Sequence, residues 1–323
     1  MEKSIKCHIQ IFNQMLIKSI CLRYFAGIIL FSVLASCSNG NFVENHNEII
    51  EANNPETYDY CPNNEPLKYS DYDLVWSDNF NSLSLDINNW NYMYGDGSLY
   101  GIPGWGNNED QTYVDSEENI YISNGCLFIV PTFNEGVGFE SARINSSQKR
   151  IFLFGRIDVA FSVPELTGVW PAIWMLPEYK RYGNWPASGE IDLMETKNKA
   201  SDELVTTIHY GHDFHRLVGK TTYLSQLSKL TNPDDQNIVS ILWDEESIEW
   251  LLNNSSIYRI EFNNIEALEP NPFVEEFHSL INVAVGGNFP GNPNSDEYCA
   301  SRLNCPDVKK MIIDYIAYYE SSK

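Results

Sequence analysis

Short apolar runs, many of them alternating with polar positions, recur along the chain from residue 72 onward. Alternation with a period of two is typical of a strand that buries one face. Gly, Pro and Asn separate the runs, and long amphipathic helical patterns do not occur between them. The pattern predicts an all-β fold of two packed antiparallel sheets. Its strands are predicted over 73–76, 127–130, 155–161, 205–210, 237–243, 249–252, 280–284 and 311–319, with a hairpin turn at Asn253-Asn254.

The run 187–195, Ala-Ser-Gly-Glu-Ile-Asp-Leu-Met-Glu, places three acids on one predicted strand. Alternation directs Glu190 and Asp192 to one face and the intervening apolar residues to the core. A regular strand would turn Glu195 inward, which costs several kcal/mol for an unpaired carboxylate. One extra residue at Leu193 or Met194, a β-bulge, returns Glu195 to the face of Glu190. We therefore predict a bulged strand.

This spacing suggests a specific chemistry. With the bulge absorbed, the backbones of Glu190 and Glu195 lie about four strand steps apart, roughly 13 Å. Side chains that lean inward by about 4 Å each bring the two carboxyl groups to about 5 to 6 Å. Retaining glycosidases have this separation, whereas inverting ones need about 6.5 to 9.5 Å. Asp192 between them couples to both titrations. The alternative is a strand edge decorated with solvated acids.

Several further segments resemble one enzyme family, glycoside hydrolase family 16, and within it the bacterial laminarinases, which are endo-β-1,3-glucanases. The similarity covers nearly all of residues 70–320, and the spacing of the acids is closer to the laminarinase and algal-galactanase branches than to the lichenases. The matching segments, besides the acids themselves, are 105–109 (Trp-Gly-Asn-Asn-Glu), 155–159 (Gly-Arg-Ile-Asp-Val), 169–177 (Val-Trp-Pro-Ala-Ile-Trp-Met-Leu-Pro), 185–189 (Trp-Pro-Ala-Ser-Gly), 207–211 (Thr-Ile-His-Tyr-Gly), 282–288 (Asn-Val-Ala-Val-Gly-Gly-Asn) and 313–315 (Ile-Asp-Tyr).

The resemblance implies a fold, an activity and a set of catalytic residues. The fold would be a β-jelly-roll whose concave face forms a glycan-binding cleft, with residues 69–323 as the catalytic domain. The activity would be retaining endo-hydrolysis of β-1,3-glucan of the laminarin type. Glu190 would be the nucleophile, Asp192 the group that orients it, and Glu195 the acid/base. Alternatives are the same scaffold acting on mixed-linkage β-1,3-1,4-glucan or an algal galactan, or a glycan-binding surface protein without catalysis.

Aromatic side chains are expected to line such a cleft, because sugars present a flat C–H face to a ring. Trp170 and Trp174 are four residues apart, so a strand directs both rings to one face. A pair of core tryptophans is the alternative, but the resemblance favours the cleft. Trp105 and Trp185 lie in Gly-rich, loop-like surroundings and are predicted to contact substrate as well.

Three polar residues complete the predicted binding set. Asn107 and Asn288 could hydrogen-bond sugar hydroxyls, although asparagine beside glycine is also ordinary turn chemistry. His209 lies in a predicted strand, where a lone histidine usually has a structural partner. The matching family position lines the cleft near the acid/base, so His209 is predicted there.

No metal is predicted for catalysis, but the resemblance implies a structural calcium ion away from the cleft. Its ligands would be Asp314, by side chain and carbonyl, and the carbonyl of Gly125, with help from near Asp78. Ligation by oxygen alone suits calcium. The sequence has Asp78-Asn79-Phe80 where Asp-Glu-Phe is commoner, so one potential anionic ligand is missing.

Composition and charge narrow the range of partners. The 323 residues are 43% hydrophobic and 13% aromatic, which suffices for one large core, and no internal repeat divides the chain. The formal charge of -23 argues against nucleic acid and anionic membrane surfaces as ligands, because binding to either requires a basic surface. It also disfavours sulfated polysaccharides. The expected polymer partner is a neutral β-glucan, and the expected oligomeric state is a monomer.

The N-terminal segment predicts export and a lipid anchor. Lys18 and Arg23 precede an apolar run, 25–33, that is too short to span a bilayer and fits a signal peptide, assigned to residues 1–36. The ending Leu-Ala-Ser-Cys resembles a bacterial lipobox, in which Cys37 becomes the lipidated first residue; a generic signal peptide with a chance cysteine is the alternative. Residues 37–68 are predicted to be a flexible tether. The predicted location is the bacterial cell envelope, and Met1 or Met15 could be the start.

Four cysteines remain beyond these segments. Cys299 and Cys305 bracket a short loop and are predicted to form a disulfide. Cys61 and Cys126 could pair or remain as buried thiols. Neither spacing is typical of a zinc site.

Overall fold

Strands are the main regular secondary structure in the part of the chain that this computed structural model describes, residues 59–199, 202–224, 230–231 and 237–323. The predicted signal peptide and Cys37 lie outside these residues. Within them, six short 3-10 turns lie between strands, at Ser98–Tyr100, Pro103–Gly106, Phe262–Asn264, Pro272–Val274, Ser295–Glu297 and Arg302–Asn304. The strands are β1 (Tyr72–Asp78), β2 (Asn91–Tyr92), β3 (Gln111–Tyr113), β4 (Ile120–Ser123), β5 (Cys126–Ile129), β6 (Thr132–Asn134), β7 (Gly138–Ser141), β8 (Arg143–Asn145), β9 (Ile151–Phe152), β10 (Gly155–Ser162), β11 (Val169–Pro177), β12 (Glu190–Glu195), β13 (Glu203–Tyr210), β14 (Arg216–Tyr223), β15 (Asn237–Trp243), β16 (Ser247–Leu252), β17 (Ser255–Glu261), β18 (Phe277–Val285) and β19 (Met311–Ser321).

Two large antiparallel sheets organise these strands. The first has the order β17-β16-β15-β10-β19-β5-β4, with β1 also paired to β19. The second has the order β14-β13-β12-β11-β18-β8-β2, with β9 also paired to β18. Strands β3, β7 and β6 form a small third sheet. Each of the eight strands predicted from the sequence overlaps an observed one, so the all-β prediction is confirmed.

Local turn chemistry agrees with the sequence at the β16–β17 hairpin. Asn253 and Asn254 join the two strands with φ of 50° and 62°. Asparagine tolerates this left-handed region better than other residues with a Cβ, and two such residues match the twist of a two-residue hairpin. The predicted turn is therefore confirmed.

The main core lies between the two large sheets. Ile157 and Ile241 from the first sheet and Ile173, Ile191 and Leu193 from the second are at most 1% exposed and belong to one apolar cluster. Full burial of such a side chain stabilises the fold by roughly 1.5 to 3 kcal/mol. Strand β12 is thus fixed from its inner face, which leaves its outer face free for chemistry.

Residues 59–68, assigned from the sequence to the tether, instead pack on the first sheet. Cys61 forms a disulfide with Cys126 of β5. The backbone N–H and the side-chain amide of Asn64 donate to the carboxylate of Asp314 on β19. The carbonyl of Leu67 accepts a hydrogen bond from the hydroxyl of Tyr319, 2.9 Å away. The pairing was left open in the sequence because composition cannot indicate which strand a polar segment will cross.

Candidate active site

Strand β12 carries the three acids at the middle of the second sheet, between β11 and β13. Trp174 of β11 pairs with Asp192, while Ile173 pairs with Met194, so Leu193 has no partner on β11. The same irregularity appears towards β13, where Asp192 and Glu195 pair with residues two apart. The predicted β-bulge is confirmed, and its extra residue is Leu193.

The bulge turns Glu195 to the face of Glu190, as predicted. Leu193 and Met194 are both buried in the core, although they are adjacent in sequence. Glu195 is therefore returned to the outer face and hydrogen-bonds there. Gly189 immediately precedes the strand with φ of +88°, and a Cβ at this position would lie 3.2 Å from the Phe273 and Phe277 rings. A glycine immediately before Glu190 is thus required by both conformation and space.

Glu190 and Asp192 share one set of donors. Trp185, in the loop between β11 and β12, donates from Nε1 to Oε2 of Glu190 at 2.7 Å. His209 is the cross-strand partner of Glu190 on β13. Its Nε2 lies 3.1 Å from Oδ2 of Asp192 and 3.9 Å from Oε1 of Glu190. His209 was predicted beside the acid/base; its side-chain contacts are with the other two acids.

Glu195 has a different environment. Trp170 of β11 donates from Nε1 to Oε1 of Glu195 at 3.0 Å. The Trp170 ring packs against Phe289, with ring centroids 5.1 Å apart. Lys197 also contacts Phe289, with its Nζ 4.2 Å from the centre of the Phe289 ring. An indole N–H and a nearby cation therefore both act on Glu195.

Burial raises the pKa of all three acids. For Glu190 the pKa rises well above its usual value because the carboxyl is desolvated, and the negative charge of Asp192 adds to the rise. His209 and the Trp185 N–H oppose it. Burial and the charge of Glu195 likewise raise the pKa of Asp192. The Glu195 pKa is raised by burial and lowered by the Trp170 N–H, His209 and Lys197. Three close carboxyl groups cannot all ionise without repulsion, so the cluster retains protons to higher pH than isolated acids.

Trp174 and Trp170 project from the same face of β11, as predicted. Nε1 of Trp174 donates to Oδ1 of Asn282 on β18 at 2.8 Å. The guanidinium of Arg143 lies 4.7 Å from the centre of the Trp174 ring. Both tryptophans are partly exposed, so the structure brings them together with the acids rather than into the core.

Trp105 does not occupy the exposed, substrate-contacting position that was predicted for it. It is 4% exposed, donates from Nε1 to the carbonyl of Gly95, and packs against Tyr100 and Tyr113. Arg143 lies 4.4 Å from the centre of its ring. The Trp105 ring is therefore enclosed by neighbouring protein side chains and leaves no open face for a sugar. Trp105 packs against the guanidinium of Arg143 instead of contacting substrate directly.

Trp185 and the two asparagines lie at accessible positions. Trp185 is 51% exposed. Asn107 is partly buried, and its carbonyl accepts a hydrogen bond from the backbone N–H of Asn288 at 2.8 Å. Oδ1 of the exposed Asn288 accepts from Nδ2 of Asn108 at 2.9 Å. The two predicted asparagines are thus joined to each other, and their contacts in the structure are those of loop residues.

Sequence reasoning missed two charged residues near these groups. Arg143 is buried between Trp105 and Trp174, and its side-chain Nε has no hydrogen-bond partner among the described residues. Little in the sequence pointed to it, because Arg143 lies in the mixed segment Ser-Ala-Arg-Ile-Asn, 141–145, and arginine is usually exposed. Lys197 had no comparable signal, because a lysine two residues beyond a strand is usually solvated.

The residues predicted to hold calcium have other partners. Both carboxylate oxygens of Asp314 face the backbone N–H of Asn64, at 3.2 and 3.1 Å, and Oδ2 also accepts from Asn64 Nδ2 at 2.8 Å. The Asp78 carboxylate accepts from the backbone of Phe80 and from Trp90 Nε1. N–H groups directed at an oxygen repel a cation at the same place, so this arrangement does not fit a calcium ion bound by Asp314.

Comparisons with known proteins agree with the site and the fold. The model of the family described as glycosyl hydrolases family 16 matches residues 105–298. The chain is 32% identical to a beta-glucanase of Rhodothermus marinus, over 77% of this chain and 85% of that protein. It is 33% identical to glucan endo-1,3-beta-glucosidase A1 of Niallia circulans, over 76% of this chain. The chain spans 38% of the length of that second relative.

Solved structures extend the likeness to three dimensions. The laminarinase catalytic domain of Thermotoga maritima MSB8 superposes with a TM-score of 0.69 at 31% identity, covering 78% of this chain and all of that domain. The laminarinase of Rhodothermus marinus gives a TM-score of 0.65 at 29% identity. The prediction of a jelly-roll sandwich is confirmed. With its acids on a bulged strand of that sandwich, and with a matching family model over more than half its length, the chain belongs to glycoside hydrolase family 16.

Proposed function

We propose that this protein is a retaining endo-glycoside hydrolase whose substrate is β-1,3-glucan of the laminarin type. The observation that carries the proposal is the bulged strand β12, which directs Glu190, Asp192 and Glu195 to one face, where two indole N–H groups donate to the glutamates and His209 Nε2 lies 3.1 Å from Asp192. The β-1,3-glucanase relatives support the choice of linkage. The acidic chain, with a formal charge of -23, suits a neutral polymer.

The proposed reaction has two displacements. Glu195 protonates the glycosidic oxygen while a carboxylate oxygen of Glu190 attacks the anomeric carbon, so the leaving chain departs and a covalent glycosyl-enzyme forms. Glu195, now ionised, removes a proton from a water molecule, which attacks the same carbon and releases Glu190. Two inversions retain the anomeric configuration. Asp192 orients Glu190 and modulates its charge.

The sugar would be held by the groups around these acids. Trp170, Trp174 and Trp185 supply partly exposed indole rings for stacking against sugar faces. Asn107 and Asn288 are proposed to contact hydroxyl groups at the rim. No metal is required by this scheme, because protonation and covalent attack are both supplied by carboxyl groups.

A substrate panel tests the proposal. Reducing-sugar release would be measured on laminarin, mixed-linkage glucan, agarose, carrageenan and cellulose, with product lengths followed over time. We expect internal cleavage of laminarin to short oligosaccharides and no release from cellulose. Strong activity on agarose without activity on laminarin would indicate a galactanase on the same scaffold. Binding of laminarin without cleavage of any polymer would indicate a glycan-binding protein.

We further propose that the protein is a lipoprotein of the bacterial cell envelope, anchored through Cys37 and functioning as a monomer. The support is the apolar run 25–33 followed by Leu-Ala-Ser-Cys. Among the described residues no helix has the length and apolarity needed to cross a membrane.

A further inference from the structure

Beyond the three acids, a second histidine, His215, lies in the hairpin between β13 and β14 and contacts His209. Nε2 of His215 is 2.8 Å from Nδ1 of His209. The two ring planes differ by 21°, and their centroids are 5.0 Å apart. Face-to-face rings cannot bring atoms closer than about 3.5 Å. The two nitrogens therefore meet edge to edge, as in a hydrogen bond that lies in the ring planes.

This contact, together with Asp192 on the other side of the ring, favours one tautomer of His209. A neutral imidazole has one N–H and one lone pair. If Nε2–H of His215 donates to Nδ1 of His209, the proton of His209 must be on Nε2. That nitrogen lies 3.1 Å from Oδ2 of Asp192. While Asp192 is ionised, the opposite tautomer would direct a lone pair at its carboxylate oxygen, and the two would repel each other.

The same histidine supports the second donor to the acids. The Trp185 ring packs on His215 with centroids 4.7 Å apart, closer than its 6.0 Å from His209. Nε1 of Trp185 donates to Glu190. His215 thus contacts both Trp185, which donates to Glu190, and His209, whose Nε2 faces Asp192.

We propose that His215 is a positioning residue, which fixes the Nε2–H tautomer of His209 and holds Trp185, so that an imidazole N–H faces Asp192 while the Trp185 indole donates to Glu190. The proposal rests on the proposed glycosidase function for its effect on rate, but its effect on His209 is a property of the free protein. Burial and the nearby His209 lower the pKa of His215, which favours the neutral form that the arrangement requires.

The charged groups around the histidine pair are on three elements. Glu190, Asp192 and Glu195 face His209 from β12. His212 and Asp213 are in the same hairpin as His215, and Arg216 follows it, with its guanidinium over the Phe214 ring. Protonation of both histidines would place N–H against N–H across the 2.8 Å contact, so the pair breaks at acidic pH.

Two substitutions separate the hydrogen bond from packing. His215→Phe keeps an aromatic ring against Trp185 but removes the donor, whereas His215→Gln keeps an N–H near the position of Nε2. The matched control is His212→Phe, which alters an exposed histidine three residues earlier in the hairpin. Thermal unfolding of each variant verifies that it is folded.

The first measurement is the nitrogen spectrum of histidine rings in the protein labelled with ¹⁵N-histidine. The chain has six histidines, and loss of one signal in His209→Gln assigns the ring of interest. We expect the Nε2–H tautomer for His209 in the unchanged protein and in His215→Gln, and a mixture of tautomers in His215→Phe. A His209 spectrum that stays the same in His215→Phe would overturn the proposal.

The second measurement is the pH profile of kcat and KM on laminarin. Loss of one hydrogen bond corresponds to a fall in kcat of about two- to tenfold for His215→Phe, with KM little changed and the acidic limb of the profile displaced. His215→Gln should recover most of that loss. Equal losses in the two variants would show that His215 acts through packing alone, which contradicts the proposal. Failure of the proposed function would appear differently, as absence of activity on laminarin in the unchanged protein.

Discussion

Glu190 and Glu195 differ in their partners, and this difference predicts different behaviour when each is removed. For Glu195→Ala we expect natural substrates to be cleaved about 10² to 10⁴ times more slowly, because proton donation is lost. A donor whose leaving group needs no proton should still form the covalent intermediate. Added azide should then attack that intermediate and give a β-glycosyl azide, measured by NMR of the product.

Glu190→Ala should give the opposite stereochemistry. Without the nucleophile no covalent intermediate forms, so azide that fills the space attacks directly and gives an α-glycosyl azide. Reversed azide configurations in the two variants would mean that the roles are exchanged. Retained activity in both would show that the acids of β12 do not carry the reaction.

Lys197 provides a prediction about pH. Its positive charge lowers the pKa of Glu195, which burial has raised. A general acid acts only while protonated, so the alkaline limb of kcat/KM follows the pKa of Glu195 in the free enzyme. Lys197→Met removes the cation, the Glu195 pKa rises, and the alkaline limb should move to higher pH. Lys197→Arg keeps the charge and serves as the control. A limb that moved to lower pH, or did not move, would contradict the prediction.

At the scale of elements, strand β12 shows what could be predicted from sequence and why. An unpaired buried carboxylate is strongly destabilising. Ile191, Leu193 and Met194 can all be buried, with the three acids on the outer face, only if the strand contains a bulge. The surrounding loops obey no such period. The packing of Trp105 against Arg143 depends on contacts between segments far apart in sequence. The approach of His215 to His209 depends on the path of a hairpin loop. A single sequence does not record either.

A disulfide links the segment 59–68 to the first sheet. The Cys61–Cys126 link closes 65 residues, and chain entropy assigns it roughly 4 kcal/mol of stability. For the double variant Cys61→Ser/Cys126→Ser we expect the melting temperature to fall by roughly 10 °C. The matched control is Cys299→Ser/Cys305→Ser, whose link spans 6 residues and should cost roughly half as much.

A chelator tests the calcium prediction in the same assay. Because Asn64 already donates to Asp314, we expect EDTA and added calcium to leave the melting temperature unchanged. Oδ1 of Asn79 is buried in the same region without a hydrogen-bond partner among the described residues. A melting temperature that fell with EDTA and recovered with calcium would therefore show that an ion is bound there after all.

At the scale of the whole molecule, the folded domain and the predicted N-terminal leader depend on different physical effects. The sandwich is held by a core between two sheets, and the formal charge of -23 carried by the full chain gives no attraction to anionic lipid. Any stable association with a membrane must then come from outside the folded domain. The proposed source is a lipid on Cys37, and lipid chains bind bilayers through buried CH₂ groups regardless of protein charge.

The final prediction tests that source in the full-length chain. We expect the unchanged protein to sediment with membranes and to incorporate labelled palmitate, whereas Cys37→Ser should be found in the soluble fraction without label. Cys21→Ser, which alters a cysteine within the predicted signal peptide, is the matched control and should behave like the unchanged protein. Laminarin cleavage by the released Cys37→Ser form should be retained, because the catalytic groups lie on β12. Membrane sedimentation of Cys37→Ser equal to that of the unchanged protein would contradict the lipid anchor. Soluble protein in every variant, with no label in any, would favour a generic signal peptide with a chance cysteine.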